Sequence, residues 1–165
     1  MRLYGDPCLR KKSVPLQTVG VAQRLLVKSM FETMRHHKGV GLAAPQVGIN
    51  QRIFVVDIGQ GPWAFFNLKV LQKTGAEILE EGCLSIPGIN LKIKRANKIL
   101  VSYLDENNNL LKATFTGLMA RVVQHENDHL DGKLIIDYAN LLEKRKIKKQ
   151  LAAGIETKEL KERRN

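Results

Sequence analysis

Only two cysteines, Cys8 and Cys83, occur in 165 residues. Two are too few for a disulfide framework, and reduced thiols are expected. No apolar stretch approaches the roughly 18 residues that a membrane-spanning helix needs. The opening Met1-Arg2-Leu3-Tyr4-Gly5-Asp6-Pro7 lacks the apolar core of a signal peptide, so a cytoplasmic location without membrane attachment is the expectation. No internal repeat or linker interrupts the chain, and no phosphate-binding glycine motif follows a strand-like run. Residues 1–165 are therefore expected to form a single domain. A chain near this length buries about 70% of its unfolded surface, enough for one ordinary core. Acidic residues are outnumbered, 16 against 27 Lys and Arg, giving a net charge of +11. Such a field draws polyanions, of which nucleic acid is the commonest in the cytoplasm.

The apolar periodicities define the elements. Val27, Met30, Phe31 and Met34 fall at i, i+3, i+4 and i+7, which predicts an amphipathic helix over about Val21 to His36. Three glycines and Pro45 then break the pattern from Gly39 to Gly48, as in a loop or tight extended stretch. Arg52 to Asp57 and Trp63 to Asn67 are short runs of β-branched and aromatic residues, hence strands. Lys98 to Leu104 and Leu110 to Thr116 flank the turn-rich Asp105 to Asn109 as a hairpin. Leu118 to Leu130 reads as a second helix ended by Gly132. A third is predicted from about Tyr138 to Leu151, carrying Lys144, Arg145, Lys146, Lys148 and Lys149; Lys158, Lys161, Arg163 and Arg164 follow. That basic cluster reads equally well as a solvated face or a polyanion contact. Strands and helices do not alternate as βαβ units. An α+β fold is therefore expected, with antiparallel β-sheets packed around the second helix, an N-terminal helix and a basic C-terminal helix.

The sharpest feature is His125-Glu126-Asn127-Asp128-His129 on the second helix. Histidines at i and i+4 project from one helix face and chelate a single metal, with the intervening glutamate in reach of a bound water as general base. With 4 histidines in the chain, chance would place the pattern on the order of 0.006 times, so coincidence is a poor explanation. Leu118, Val122, His125 and His129 follow i, i+4, i+7 and i+11, which turns both imidazoles inward, where polar groups need partners. A catalytic site of this kind needs a third protein ligand and one open position. Downstream no histidine follows His129, and the next glutamate is Glu143. Upstream stand His36, His37 and Cys83, the last in Glu81-Gly82-Cys83-Leu84-Ser85. A lone cysteine is more often a small buried hydrophobe, but a thiolate here would favour iron, zinc or cobalt over magnesium or calcium. In Gly39-Val40-Gly41-Leu42-Ala43-Ala44-Pro45-Gln46, small residues suit a cleft wall and Gln46 is placed to donate to an oxyanion. A glycine-rich turn before a strand explains the same segment more simply.

Three stretches in this order, Gly39 to Gln46, Glu81 to Ser85 and Gln124 to His129, resemble the signature motifs of the peptide deformylase family. The opening Tyr4-Gly5-Asp6-Pro7-x-Leu9-Arg10 is similar too, and the resemblance runs from residue 1 to about 140. It implies that Cys83, His125 and His129 bind one divalent metal, ferrous iron in the usual bacterial case, with zinc, nickel or cobalt as substitutes. Water would fill the fourth position, with Glu126 taking its proton and later passing one to the leaving amine. Gln46 and the Leu84 N–H would hold the tetrahedral oxyanion. The methionine side chain would sit among Val40, Leu79, Leu118 and Val122, while Gly41 and Gly88 pair with the substrate backbone. The reaction implied is removal of formate from the N-terminal formylmethionine of new polypeptides, with possible ribosome contact through the basic C-terminus. Glu81 and Arg95 would brace the cysteine segment as an ion pair. One departure is Leu68, where the family often places proline after the asparagine corresponding to Asn67; it bears on strand pairing. Two other readings fit parts of the pattern: an endopeptidase of the His-Glu-x-x-His type, and a basic RNA-binding module with a structural metal. The first lacks a downstream third ligand, and the second has no use for Glu126.

Overall fold

The structure, a computed structural model, describes residues 1–162, with side chains described as far as Leu151. Helix α1 spans Val21–His36. Its stripe is as expected: Val27, Met30 and Met34 are buried and Phe31 is half-buried. Gln23 closes the start by accepting the Gly20 N–H through Oε1 at 3.1 Å. Strands β1 (Gly41–Ala43), β2 (Ile53–Val56), β3 (Trp63–Thr74), β6 (Lys98–Leu104) and β7 (Leu110–Thr116) form an antiparallel sheet in the order β1-β2-β3-β6-β7. Between β3 and β6 the chain leaves this sheet to make a separate antiparallel hairpin, β4 (Glu77–Cys83) with β5 (Ile86–Arg95). Helix α2 (Gly117–Leu130) follows β7.

The larger sheet is covered on both faces, and strand alternation divides its side chains. Phe54, Val56, Phe65, Val101 and Phe115 pack against Ala120 and Val123 of α2. Ile53, Val55 and Phe66 pack against Met30 and Met34 of α1. Burial on both sides is why β2 reads as an unbroken apolar run. Phe54 and Phe65 also stack with ring centroids 4.8 Å apart, worth about 0.5–1.5 kcal/mol beyond area burial. A third cluster joins the hairpin to the C-terminal segment through Leu9, Ile86, Ile93, Ile135 and Ile147. The sheets are thus arranged around α2, whose positions 119–124, 126, 129 and 130 are buried.

Two elements differ from expectation. Glu77 to Arg95 forms a hairpin that periodicity does not reveal, because β4 carries three glutamates and β5 interleaves Lys92 and Lys94 with Ile93. The third helix, α3 (Leu141–Glu162), begins three residues later than Tyr138. Residues Ile135–Tyr138 form a 3-10 turn instead. Asn140 caps the helix: its Oδ1 accepts the Glu143 N–H at 2.9 Å, and Glu143 Oε2 accepts the Asn140 N–H at 2.8 Å. Arg163 and Arg164, and the side chains of Lys158 and Lys161, lie outside what is described.

Leu68 falls in an irregularity of the β3–β6 pairing, where Asn67 and Leu68 have no register partner on β6. Asn67 adopts the left-handed conformation, φ 52°, where the β3–β6 register slips between Phe66 and Lys69. Its side chain takes the place of a strand neighbour, accepting the Leu16 N–H and donating to the Leu16 carbonyl, both at 2.8 Å. Leu68 itself is fully buried in the core beside α2.

Within the described part of α3, Ile147 is the buried anchor, whereas Leu141 and Leu142 are 76% and 70% exposed. Ile147→Ala should therefore destabilise the fold by about 2–4 kcal/mol through the cavity it leaves, while Leu142→Ala should stay within about 0.5 kcal/mol. Chemical denaturation of the two variants beside wild type checks the contrast; equal effects would mean that α3 is not docked through Ile147.

Candidate metal centre

His125 and His129 lie one turn apart on α2, with ring centroids 5.1 Å apart. Cys83 reaches them because β4 ends there in a two-residue turn. Cys83 pairs with Ile86 across Leu84 and Ser85, and the register slips between Gly82 and Cys83. The potential ligand atoms of Cys83, His125 and His129 all lie within 4.8 Å of one another, and Cys83 Sγ stands 3.3 Å from His129 Nε2. The other candidates do not join them: His36 and His37 are exposed and pack against each other, and Glu143 is the α3 cap.

Each residue of the motif helix has a separate task. Gln124 clamps the β5–β6 connection, donating to Ala96 O at 2.8 Å and accepting from Ala96 N at 3.3 Å. Asn127 accepts from Arg52, which also pairs with Asp131 at 2.8 Å and so secures the end of the helix. Asp128 accepts from Arg95 at 2.8 Å and from Tyr138 at 2.7 Å. Glu81 is the centre of the buried polar network. Its Oε2 lies 3.0 Å from His125 Nδ1, and Arg95 forks onto both its oxygens at 2.6 and 2.9 Å. Burial raises the Glu81 pKa, but the hydrogen bonds from His125 and Arg95 outweigh it and hold the carboxyl at about 2. The expected Glu81–Arg95 pair is present. Arg121, on which sequence reasoning is silent, adds a further bond to Glu81 Oε1 at 2.6 Å.

Glu126 is only 3% exposed and has no such support. Its Oε2 is buried without a partner among the described residues, as is His129 Nδ1. Burial, opposed by the positive charges of His125 and Arg95, pushes the Glu126 pKa up to about 7. Burial first, and then the charge of His125, holds His129 well below its usual range, so its imidazole is neutral. A thiol, two imidazoles converging on one point and an unpartnered carboxylate beside them suit a divalent metal and a polar reactant.

A cleft of about 610 Å³ opens onto this cluster. Val40, Gly41, Gln46, Leu84, Gly88, Leu118 and Val122 all line it, together with His125 and Glu126. Leu79 does not: it lies four residues before Cys83 on β4 and is 43% exposed. Ile86 and Ile89 supply apolar wall that the sequence reading missed; they stand three residues apart on β5, a spacing that gives no strand signal. Gln46 docks the glycine-rich segment onto the cysteine turn. Its Oε1 accepts the Ala43 N–H at 2.8 Å, and Nε2 donates to Ser85 Oγ at 3.1 Å and lies 3.7 Å from Cys83 Sγ. Gly88 has φ +77°, a conformation that favours glycine.

Residues 1–145 match the family model described as polypeptide deformylase. The chain belongs to that family. It is 47% identical over 138 residues to a peptide deformylase of Thermotoga neapolitana, covering 83% of this chain and 84% of the relative. The crystal structure of the Thermotoga maritima peptide deformylase matches with a TM-score of 0.83 at 45% identity, over 85% of this chain and 96% of that one. The peptide deformylase of Ehrlichia chaffeensis in complex with actinonin matches with a TM-score of 0.90 at 34% identity, over 93% and 95% of the two chains. The segments Gly39 to Gln46, Glu81 to Ser85 and Gln124 to His129 each contribute residues to the lining of the cleft.

Gly41 shows how tightly that site is built. A Cβ there would collide with the Glu126 carboxylate and come 2.9 Å from Val122 Cγ1. Gly41→Ala must therefore displace Glu126. Misplacement of a reacting group by about 1 Å costs on the order of 10²-fold, so kcat should fall by about that factor while metal content stays unchanged. Steady-state kinetics with metal analysis checks this; an unaltered kcat would mean that the position of Glu126 does not govern turnover.

Proposed function

We propose that this chain hydrolyses the formyl group from the N-terminal formylmethionine of newly made polypeptides, with Cys83, His125 and His129 holding one divalent metal and Glu126 moving the protons. The observation that carries this reading is the Glu126 carboxylate, whose Oε2 has no partner among the described residues, buried at the cleft beside three converging ligand atoms. When bound, a divalent metal supplies Lewis acidity and a water whose pKa falls toward about 7. The soft thiolate of Cys83 favours iron, zinc, nickel or cobalt over magnesium or calcium, and among these ferrous iron is what the resemblance to the family implies.

The chain's own residues supply the rest. Glu126 accepts a proton at the free Oε2 as water attacks the formyl carbon, then returns it to the departing amine. Gln46 Nε2 and the Leu84 backbone N–H donate to the oxygen of the tetrahedral carbon. Val40, Leu118 and Val122 hold the methionine side chain, with Ile86 and Ile89 extending the apolar wall. Gly41 and Gly88 leave room for the substrate backbone to lie against β1 and β5. A formyl carbon carries only hydrogen and is more exposed to attack than an ordinary peptide carbonyl.

A cytoplasmic enzyme acting on nascent chains meets them at the ribosome, and α3 supports a contact there. Arg145, Lys146, Lys148 and Lys149 are exposed around the buried Ile147. No helix among the described residues is long and apolar enough to cross a membrane.

Two experiments test these assignments. Metal-loaded protein should release formate from a formyl-methionyl tripeptide and leave internal bonds of an unformylated peptide intact. Cys83→Ala should lose metal and activity. Glu126→Ala should retain both metal and fold, with turnover down about 10²- to 10⁴-fold; a near-normal kcat would remove Glu126 as the proton carrier. For the ribosome contact, Arg145, Lys146, Lys148 and Lys149 should be replaced together by glutamate, which keeps Ile147. Co-sedimentation with ribosomes should weaken, and wild-type binding should fall steeply with salt as counterion release requires. Equal, salt-insensitive binding by both proteins would reduce the cluster to a solvated face.

A further inference from the structure

Arg121 stands on α2 one turn before His125 and is 5% exposed. Its Nη1 donates to Glu81 Oε1 at 2.6 Å and to the Ile93 carbonyl at 3.0 Å, and its Nη2 donates to the Glu77 carbonyl at 2.8 Å. One guanidinium thus ties the motif helix to both strands of the hairpin that carries Cys83. It also divides the two oxygens of Glu81. Oε1 receives Arg95 Nε and Arg121 Nη1, each at 2.6 Å, while Oε2 receives Arg95 Nη2 at 2.9 Å and faces His125 Nδ1 at 3.0 Å. Arg95 is shared with Asp128 and Tyr138. Glu81 is the only side chain among the described residues that Arg121 bonds.

We propose that Arg121 is a positioning residue: by fixing Glu81 Oε1, it aims Oε2 at His125 Nδ1 and so sets how firmly the ligand set retains its metal. The inference rests on the proposed ligands Cys83, His125 and His129. The terminal torsion of a glutamate is broad; Arg95 holds both oxygens from β5, and Arg121 adds the bond that fixes Oε1 from the same helix that carries His125. The Nδ1–H to Oε2 bond fixes the tautomer and ring plane that turn Nε2 to a metal. Partners of this outer kind are typically worth about 10- to 100-fold in metal affinity or activity.

The test uses cobalt-loaded wild type, Arg121→Met, Arg121→Lys, Glu81→Gln and the double variant Arg121→Met/Glu81→Gln. Metal release into excess chelator is followed by loss of the cobalt–thiolate absorption, with melting curves of the loaded proteins in parallel. Arg121→Met should release cobalt roughly tenfold faster or more. Arg121→Lys, which keeps one donor for Glu81, should fall between it and wild type. The double variant should release no faster than Glu81→Gln alone, because Arg121 acts through Glu81. A merely structural arginine would lower the melting temperature and leave the release rate alone, or add its effect to that of Glu81→Gln; either result overturns the proposal. If Arg121→Met does not fold, a wild-type release rate in Arg121→Lys overturns it equally. Wild-type protein that binds cobalt without thiolate absorption would instead contradict the ligand set on which the inference rests.

Discussion

The Glu81 carboxylate is where the hairpin and the motif helix are held in register. It lies on β4, two residues before Cys83, and its four hydrogen bonds come from β5 through Arg95 and from α2 through Arg121 and His125. Among the described residues the hairpin shares no ladder with the larger sheet. Its position over α2 therefore depends on this network, and on the apolar contacts of Ile86 and Ile93 with the C-terminal segment. Removing one member of a buried ionic network typically costs about 3–5 kcal/mol, because the others remain buried without compensation. The arrangement is costly to desolvate, and its return is geometric: a thiol from one element is fixed against two imidazoles from another.

The remaining polar contacts extend the same logic outward. Arg95 links Glu81 to Asp128 on the next turn of α2 and, through Tyr138, to the segment that leads into α3. Arg52 secures the C-terminal end of α2 from the opposite side. Every polar side chain of the motif is thus spoken for except Glu126 and His129, whose Oε2 and Nδ1 have no partner among the described residues. In a helix otherwise satisfied bond by bond, Glu126 Oε2 is the carboxylate oxygen that the proposed mechanism uses for proton transfer. The glycine-rich segment completes the site by shape: Gly41 leaves the space that Glu126 occupies, and Gln46 fastens the segment to Ser85.

Much of this was legible in the residues alone, for particular reasons. Helices α1 and α2 show a helical period, β2 is an unbroken apolar run, β6 and β7 flank a turn-rich segment, and the His-x-x-x-His spacing on an inward stripe announces a chelate. The β4–β5 hairpin was hidden, because a two-stranded sheet with charged residues along it has neither a continuous apolar run nor clean alternation. Leu79 enters the expected cleft wall only through the resemblance to the family, and Ile86 and Ile89 lie on the hairpin that periodicity does not show. Arg121 left a weaker trace: a charged residue directly beside Val122 on a buried helix requires an acidic partner. The identity of that partner is a matter of tertiary packing. The formyl specificity came from resemblance to the deformylase family, since no residue pattern encodes so small a group.

The central claim is that a thiolate from the hairpin and two imidazoles from α2 hold one metal. X-ray absorption at the edge of the bound metal in loaded wild-type protein tests it most directly. The account predicts one sulfur and two imidazole nitrogens in the inner shell, with the sulfur absent in Cys83→Ala and unchanged in Cys8→Ala. A wild-type shell with no sulfur, or with the same sulfur after Cys83 is replaced, would contradict it.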